Sequence, residues 1–113
     1  MPLNDWSDSI VIVELNDEPA LSEDMDLLLR RLDGRTKSDG VPDVIINMHG
    51  VTYLNSSNIA QLLRLRKKIS LSGRRLRICS VNDSVWSVLL TTGLDAVFNF
   101  TQDVSTSLAS LQI

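Results

Sequence analysis

Most of what enzymes and membrane proteins are built from is scarce in this chain. Its 113 residues include a single cysteine, Cys79, and a single histidine, His49. One cysteine excludes an internal disulfide and is compatible with a reducing cytoplasm, the expected location. With one histidine, a metal cluster would need carboxylates alone, and no paired-acid spacing stands out, so neither metal nor cofactor is expected. The five glycines are scattered at helix ends or turns, which leaves no glycine-rich phosphate loop. No apolar run approaches the ~20 residues of a membrane-spanning helix. The first eight residues lack the basic start and apolar stretch of a secretory signal. Aromatic residues make up 4% of the chain. Tyr53 and Trp86 read as the polar-tipped stacking residues, and neither is interleaved with cationic residues, so nucleic acid is not an expected partner. His49, beside Gly50 at a strand end, reads as a turn or core residue, and Cys79 as a small buried hydrophobe. An enzyme reading finds no support in these residues.

What is present describes an ordinary globular domain. Hydrophobic residues make up 43% and charged residues 22%, and the length suits one domain, residues 1–113, with one core. Charge is unevenly divided. Residues 1–50 hold eleven acids and four bases, whereas residues 51–113 hold three acids and seven bases, all seven between Arg64 and Arg77. That basic run is either a solvated helix face with a strand edge or a docking patch for an acidic protein.

Hydrophobic patterning alternates strands with helices. Ser9–Leu15 is β-branched and apolar, as a strand buried on both faces should be, and Leu3–Trp6 can add an antiparallel edge through a turn at Ser7-Asp8. Ser22 as N-cap, acids Glu23, Asp24 and Asp26, then Arg30 and Arg31, predict a helix over 22–32 closed by Asp33-Gly34. Residues 35–42 read as a loop. Val44–Met48 predicts a central strand and His49-Gly50 a turn. Ser57–Leu71 predicts a helix with Ile59, Leu62, Leu63, Leu65 and Ile69 on its core face and Gly73 past its end. Arg66 falls inside that arc and must snorkel or meet a partner. Leu76–Val81 reads as a strand, Ser84–Thr92 as a helix capped by Asn82-Asp83, and Ala96–Phe100 as a final strand. Asp103 caps a last helix carrying Val104, Leu108 and Leu111. The expected fold is α/β: a small mixed, mostly parallel sheet of four or five strands with about four helices, covered mainly on one face.

One segment offers a chemical handle. In Val51–Leu63 an apolar stretch is interrupted by Asn55-Ser56-Ser57-Asn58, four helix-capping residues, and then resumes with helical spacing. Two serines are thereby placed where backbone N–H groups converge and the helix dipole is positive, a setting that welcomes a phosphate. Capping alone also accounts for these residue types.

The segment Asn47–Ile59 resembles the signature of the STAS domain of bacterial anti-sigma factor antagonists, in which a strand leads through a short apolar approach to Asp-Ser-Ser-Gly at a helix start. Leu89–Phe98 is similar to a second family pattern, an apolar helix end, small-Gly-Leu, then the last strand. Order and spacing agree from about Ser9 to Leu111. The resemblance implies a non-enzymatic, monomeric or weakly dimeric signalling protein that regulates transcription by partner switching. Its partners would be a serine kinase that is also an anti-sigma factor, and a phosphatase. It further implies Ser57 as phosphorylation site, Ser56 as second choice, and a partner-binding surface formed by Asn55, Ser56, Ser57, Asn58, Gln61 and Arg66. The alternative is a non-switching scaffold subunit of a stress-signalling complex or a lipid-transport ATPase. Asn55 and Asn58 depart from the family's acid and glycine: the first removes a charge that would repel a phosphate, and the second adds a side chain where a kinase backbone would approach.

Overall fold

A computed structural model describes residues 3–7, 9–33 and 40–112. Its elements run β1 (Leu3–Ser7), β2 (Ile10–Asn16), α1 (Ala20–Asp33), β3 (Asp43–Gly50), α2 (Ser56–Leu71), β4 (Leu76–Cys79), α3 (Asp83–Thr91), a 3₁₀ turn (Leu94–Ala96), β5 (Phe100–Thr101) and α4 (Val104–Leu111). The five strands form one sheet in chain order, β1-β2-β3-β4-β5, with β1 antiparallel to β2 and every other pair parallel. This is the expected mixed α/β sheet, antiparallel edge included. The turn at Asp8 and most of the 34–42 loop lie outside the described residues.

Side chains alternate across the pleat, and this decides which helix each strand residue meets. Val11, Val13 and Leu15 of β2, Val44, Ile46 and Met48 of β3, and Leu76 and Ile78 of β4 join one large cluster with Leu21, Met25, Leu28 and Leu32 of α1 and Leu62, Leu65 and Ile69 of α2. Ile10, Ile45 and Cys79 face the other way and pack with Leu111, flanked by Ile12, Val104 and Leu108. Thus α1, α2 and α3 share one face of the sheet, and the short α4 covers part of the opposite face. β3 is buried on both sides, which is why it reads as an unbroken apolar run.

Four expectations need correction. α1 begins at Ala20, so Ser22 lies inside the helix; the Glu18 carboxylate takes over the capping, accepting from the Ser22 amide at 2.6 Å and also from its hydroxyl. His49 and Gly50 continue β3, with Gly50 opposite Asn16; a Cβ on Gly50 would lie 2.3 Å from Asn16 Oδ1 and 3.1 Å from the Leu15 carbonyl, so a larger residue there would displace the Asn16 side chain and crowd the Leu15 carbonyl. Leu63 is an exposed residue of α2, since α1 closes the core over Leu62 and Leu65 and leaves the next position outside. Finally, Ala96–Phe100 is not one strand. Gly93 takes a left-handed conformation (φ 75°), starting the 3₁₀ turn, and β5 shrinks to two residues. The Val97 carbonyl is taken instead by Arg66 Nε at 2.9 Å, which answers how Arg66 is accommodated. Phe98 and Phe100 stay inward, with Trp86 edge-on to Phe100 at 5.0 Å.

Candidate functional site

Three connections meet at the carboxyl ends of the parallel strands, and the start of α2 stands among them. The capping segment forms a reciprocal pair: Asn58 N–H donates to Asn55 Oδ1 at 2.8 Å, and Asn55 N–H donates to Asn58 Oδ1 at 3.0 Å. Such a box satisfies two donors that a helix start otherwise leaves unpaired. The approach to it is pinned from both flanks. In the β2–α1 turn, Asp17 accepts from the Thr52 amide at 2.7 Å and its hydroxyl at 2.6 Å. From the β4–α3 connection, Asn82 Nδ2 donates to the Val51 carbonyl, and Ser84 Oγ donates to the Thr52 carbonyl at 2.8 Å. Val51 and Leu54 anchor the same loop in the core.

Upon this collar Ser56 and Ser57 occupy the first two helical positions, both exposed. Neither hydroxyl makes a hydrogen bond among the described residues, so each is free to react or to meet a visitor. The first turn of α2 carries no acid. Two carboxylates bond to residues of this segment, Asp17 to Thr52 and Glu18 to Asn58. Bonds from the Thr52 hydroxyl and amide hold the Asp17 carboxyl below its usual range, and bonds from the Ser22 hydroxyl and amide, then Asn58, do the same for Glu18. Both are therefore anionic at neutral pH.

Of the six residues expected to form the contact surface, the structure brings three together on the outside: Asn55, Ser56 and Ser57. Asn58 and Gln61 turn inward. Asn58 is fully buried, with Nδ2 3.3 Å from Glu18 Oε2 and 3.5 Å from Ser22 Oγ. Gln61 is 5% exposed and reaches α1, donating to the Ser22 carbonyl at 3.2 Å and Asp26 Oδ1 at 3.0 Å. These side chains tie α2 to α1 and lie beneath the surface. Arg66 lies roughly 13 Å further along the helix axis, on a different surface. Residues the sequence reading missed are Thr52, Asp17 and Ser84, which hold the loop, and Tyr53, half exposed beside it. Asp17 could be read as a turn residue, but its pairing with a threonine 35 positions away leaves no local signal.

The site is thus a pair of exposed serines at a helix start, on a loop braced from both flanks. The model for the STAS domain matches residues 5–107, and the chain belongs to that family. Solved structures share the fold. The Thermotoga maritima protein TM1081 is 22% identical with TM-score 0.81, covering 98% of this chain and 87% of its own. An anti-sigma-factor antagonist (STAS) domain protein from Planctomyces limnophilus is 19% identical with TM-score 0.80, covering 98% and 97%. The anti-sigma factor antagonist SpoIIAA in its unphosphorylated form is 15% identical with TM-score 0.76, covering 98% and 96%. No curated protein sequence matches the chain. No described helix is long and apolar enough to cross a membrane.

Proposed function

We propose that this protein is an anti-sigma factor antagonist whose partner choice is switched by phosphorylation of Ser57, with Ser56 the second choice. The observation that carries this is the exposed, unbonded Ser57 hydroxyl at the second position of α2, on a loop braced by Asp17, Asn82 and Ser84. The domain binds and does not catalyse. A kinase partner supplies the reaction: Ser57 Oγ attacks the γ-phosphorus of ATP, the bond to ADP breaks, and the hydroxyl proton passes to a base on the kinase.

Electrostatics then acts at the interface. The phosphate adds about −1.5 to −2 charges beside free helix N–H groups, a setting that tolerates or slightly stabilises it, so the fold is kept. A partner shaped to cover a neutral turn must instead desolvate that charge or oppose it, at a cost of several kcal/mol. A phosphatase restores the bare hydroxyl. The inward turn of Asn58 removes one obstacle, because the side chain standing in place of the family's glycine does not project toward an approaching kinase. Asn55 leaves the turn uncharged.

Intact-mass analysis of the protein from its own cells, with and without phosphatase, tests the proposal. One phosphate mapped to Ser57 is the expected result. A partner that co-purifies stably with protein that is never phosphorylated would instead establish the non-switching scaffold.

A further inference from the structure

Seven bases lie between Arg64 and Arg77, and the fold uses five of them. Arg66 holds the Val97 carbonyl at 2.9 Å, Lys68 pairs with Asp33, Arg74 and Arg75 share Asp43 at 3.4 and 3.2 Å, and Arg77 holds Ser110 Oγ at 3.0 Å. Arg64 and Lys67 are left over. Both are exposed, and neither side chain makes a hydrogen bond or ion pair among the described residues. Both line the same groove of about 380 Å³ between α1 and α2, together with Leu29, Asp33, Lys68 and Leu71. Resting on the reading of the Ser57 turn as a protein-binding surface, we propose that this groove is the second half of the partner interface and seats an acidic segment of the partner protein through an apolar side chain.

Helical spacing brings these groups together. Arg64, Lys67, Lys68 and Leu71 stand at i, i+3, i+4 and i+7 of α2, side by side on one face. Ser57, Arg64 and Leu71 are each seven positions apart, so they form a nearly straight line that drifts by about 20° per step and spans roughly 21 Å. A protein that covers the Ser57 turn and continues along this line meets Arg64 within about 10 Å.

Charge and exposure select the occupant. Asp33 answers Lys68, which leaves two uncompensated positive charges in the groove. Asp26, about two turns nearer the Ser57 end of α1, accepts from Gln61 and does not line it. Leu71 is 63% exposed, the most of any large hydrophobic residue described, and it faces the same groove as half-buried Leu29 and the spare bases. Cations around an apolar strip suit an acidic surface with an apolar anchor: the charges steer and orient the encounter, and the desolvated side chain holds it. Two spare charges are few for an anionic membrane, whose recognition uses clusters of about four to eight Lys or Arg.

Calorimetric titration of the whole chain, bare and phosphorylated at Ser57, with the protein partner that co-purifies from its own cells tests this. The double variant Arg64→Gln, Lys67→Gln breaks no bond of the fold and should weaken binding of the bare form roughly fivefold or more, with a shallower salt dependence. Leu71→Gln should weaken it by roughly fivefold with the salt dependence kept. Ser105→Glu with Ala109→Glu makes the same change in net charge on exposed positions of α4, across the sheet, and should leave affinity within about twofold. Groove variants that bind like the parent while phosphorylation still weakens binding would overturn the groove and leave the switch standing. Weakened groove variants with no effect of phosphorylation would keep the groove and remove the switch. Equal weakening by the α4 pair would overturn the proposal, as would groove variants that lose only sedimentation with phosphatidylserine vesicles, since the groove would then serve a membrane.

Discussion

Replacing Asn58 by glycine, the residue that the family pattern carries at this position, should damage this protein. Asn58 is fully buried, and its side chain completes the capping box and links α2 to the Glu18–Ser22 pair. Asn58→Gly leaves the Asn55 amide without its acceptor at 3.0 Å and empties the space the amide group fills. A net ~1 kcal/mol for the lost bond, about 1 kcal/mol for the orphaned N–H, and some tenths for glycine in a helix give a loss of roughly 2–3 kcal/mol. For a chain of this length about 1 kcal/mol corresponds to ~4 °C, so the thermal midpoint should fall by roughly 8–12 °C. Ser57→Ala, one residue earlier, removes an exposed hydroxyl with no partner and should shift stability by no more than ~0.5 kcal/mol. Thermal and urea unfolding of both variants provide the assay. If Asn58→Gly is as stable as the parent, the inward network is not what anchors the serine turn and the reasoning fails.

Three further outcomes follow from the same structure. The Asp17, Glu18 and Asp103 carboxyls are held below their ordinary range by hydrogen bonds, so the folded state binds fewer protons than the unfolded chain near pH 4. Their contribution is complete at neutral pH and is lost as pH falls below the ordinary carboxylate range and then through the lowered values. The urea midpoint should therefore decline below about pH 4, and less steeply in Asp103→Asn, whose parent carboxylate caps α4 through the Thr106 amide. Burial raises the Cys79 thiol pKa, so a disulfide reagent should modify the native protein far more slowly than the urea-unfolded chain. Leu65→Ala, at a fully buried α2 position facing the sheet, should cost about 2–5 kcal/mol in unfolding free energy.

Much of the fold was legible because it is local in origin. The double-sided burial of β3 shows as an unbroken apolar run, and Asn55, Asn82 and Asp103 cap the helices that follow them, as their types suggest. Ser22 misled because it lies one turn into a helix whose capping carboxylate, Glu18, is of a type that seldom caps. Ala96–Phe100 misled because only Phe100 joins the ladder: Ala96 ends the 3₁₀ turn, the Val97 carbonyl is bonded to Arg66, and Phe98 is buried in the core. At the site, the exposure of Ser56 and Ser57 was foreseeable from their place at the helix start. The burial of Asn58 and Gln61 was not, since it depends on Glu18, Ser22 and Asp26 arriving from α1 and the turn before it, residues more than thirty positions away.

The switch stands or falls on one comparison. The affinity of the kinase partner recovered from the same cells should be measured by calorimetry for the bare protein, for Ser57→Ala and for protein phosphorylated at Ser57. A penalty of ~4 kcal/mol corresponds to about a thousandfold. The account predicts that the bare protein and Ser57→Ala bind alike, that phosphorylation weakens binding by about that factor, and that thermal stability stays unchanged. Equal affinity of the bare and phosphorylated forms would contradict it.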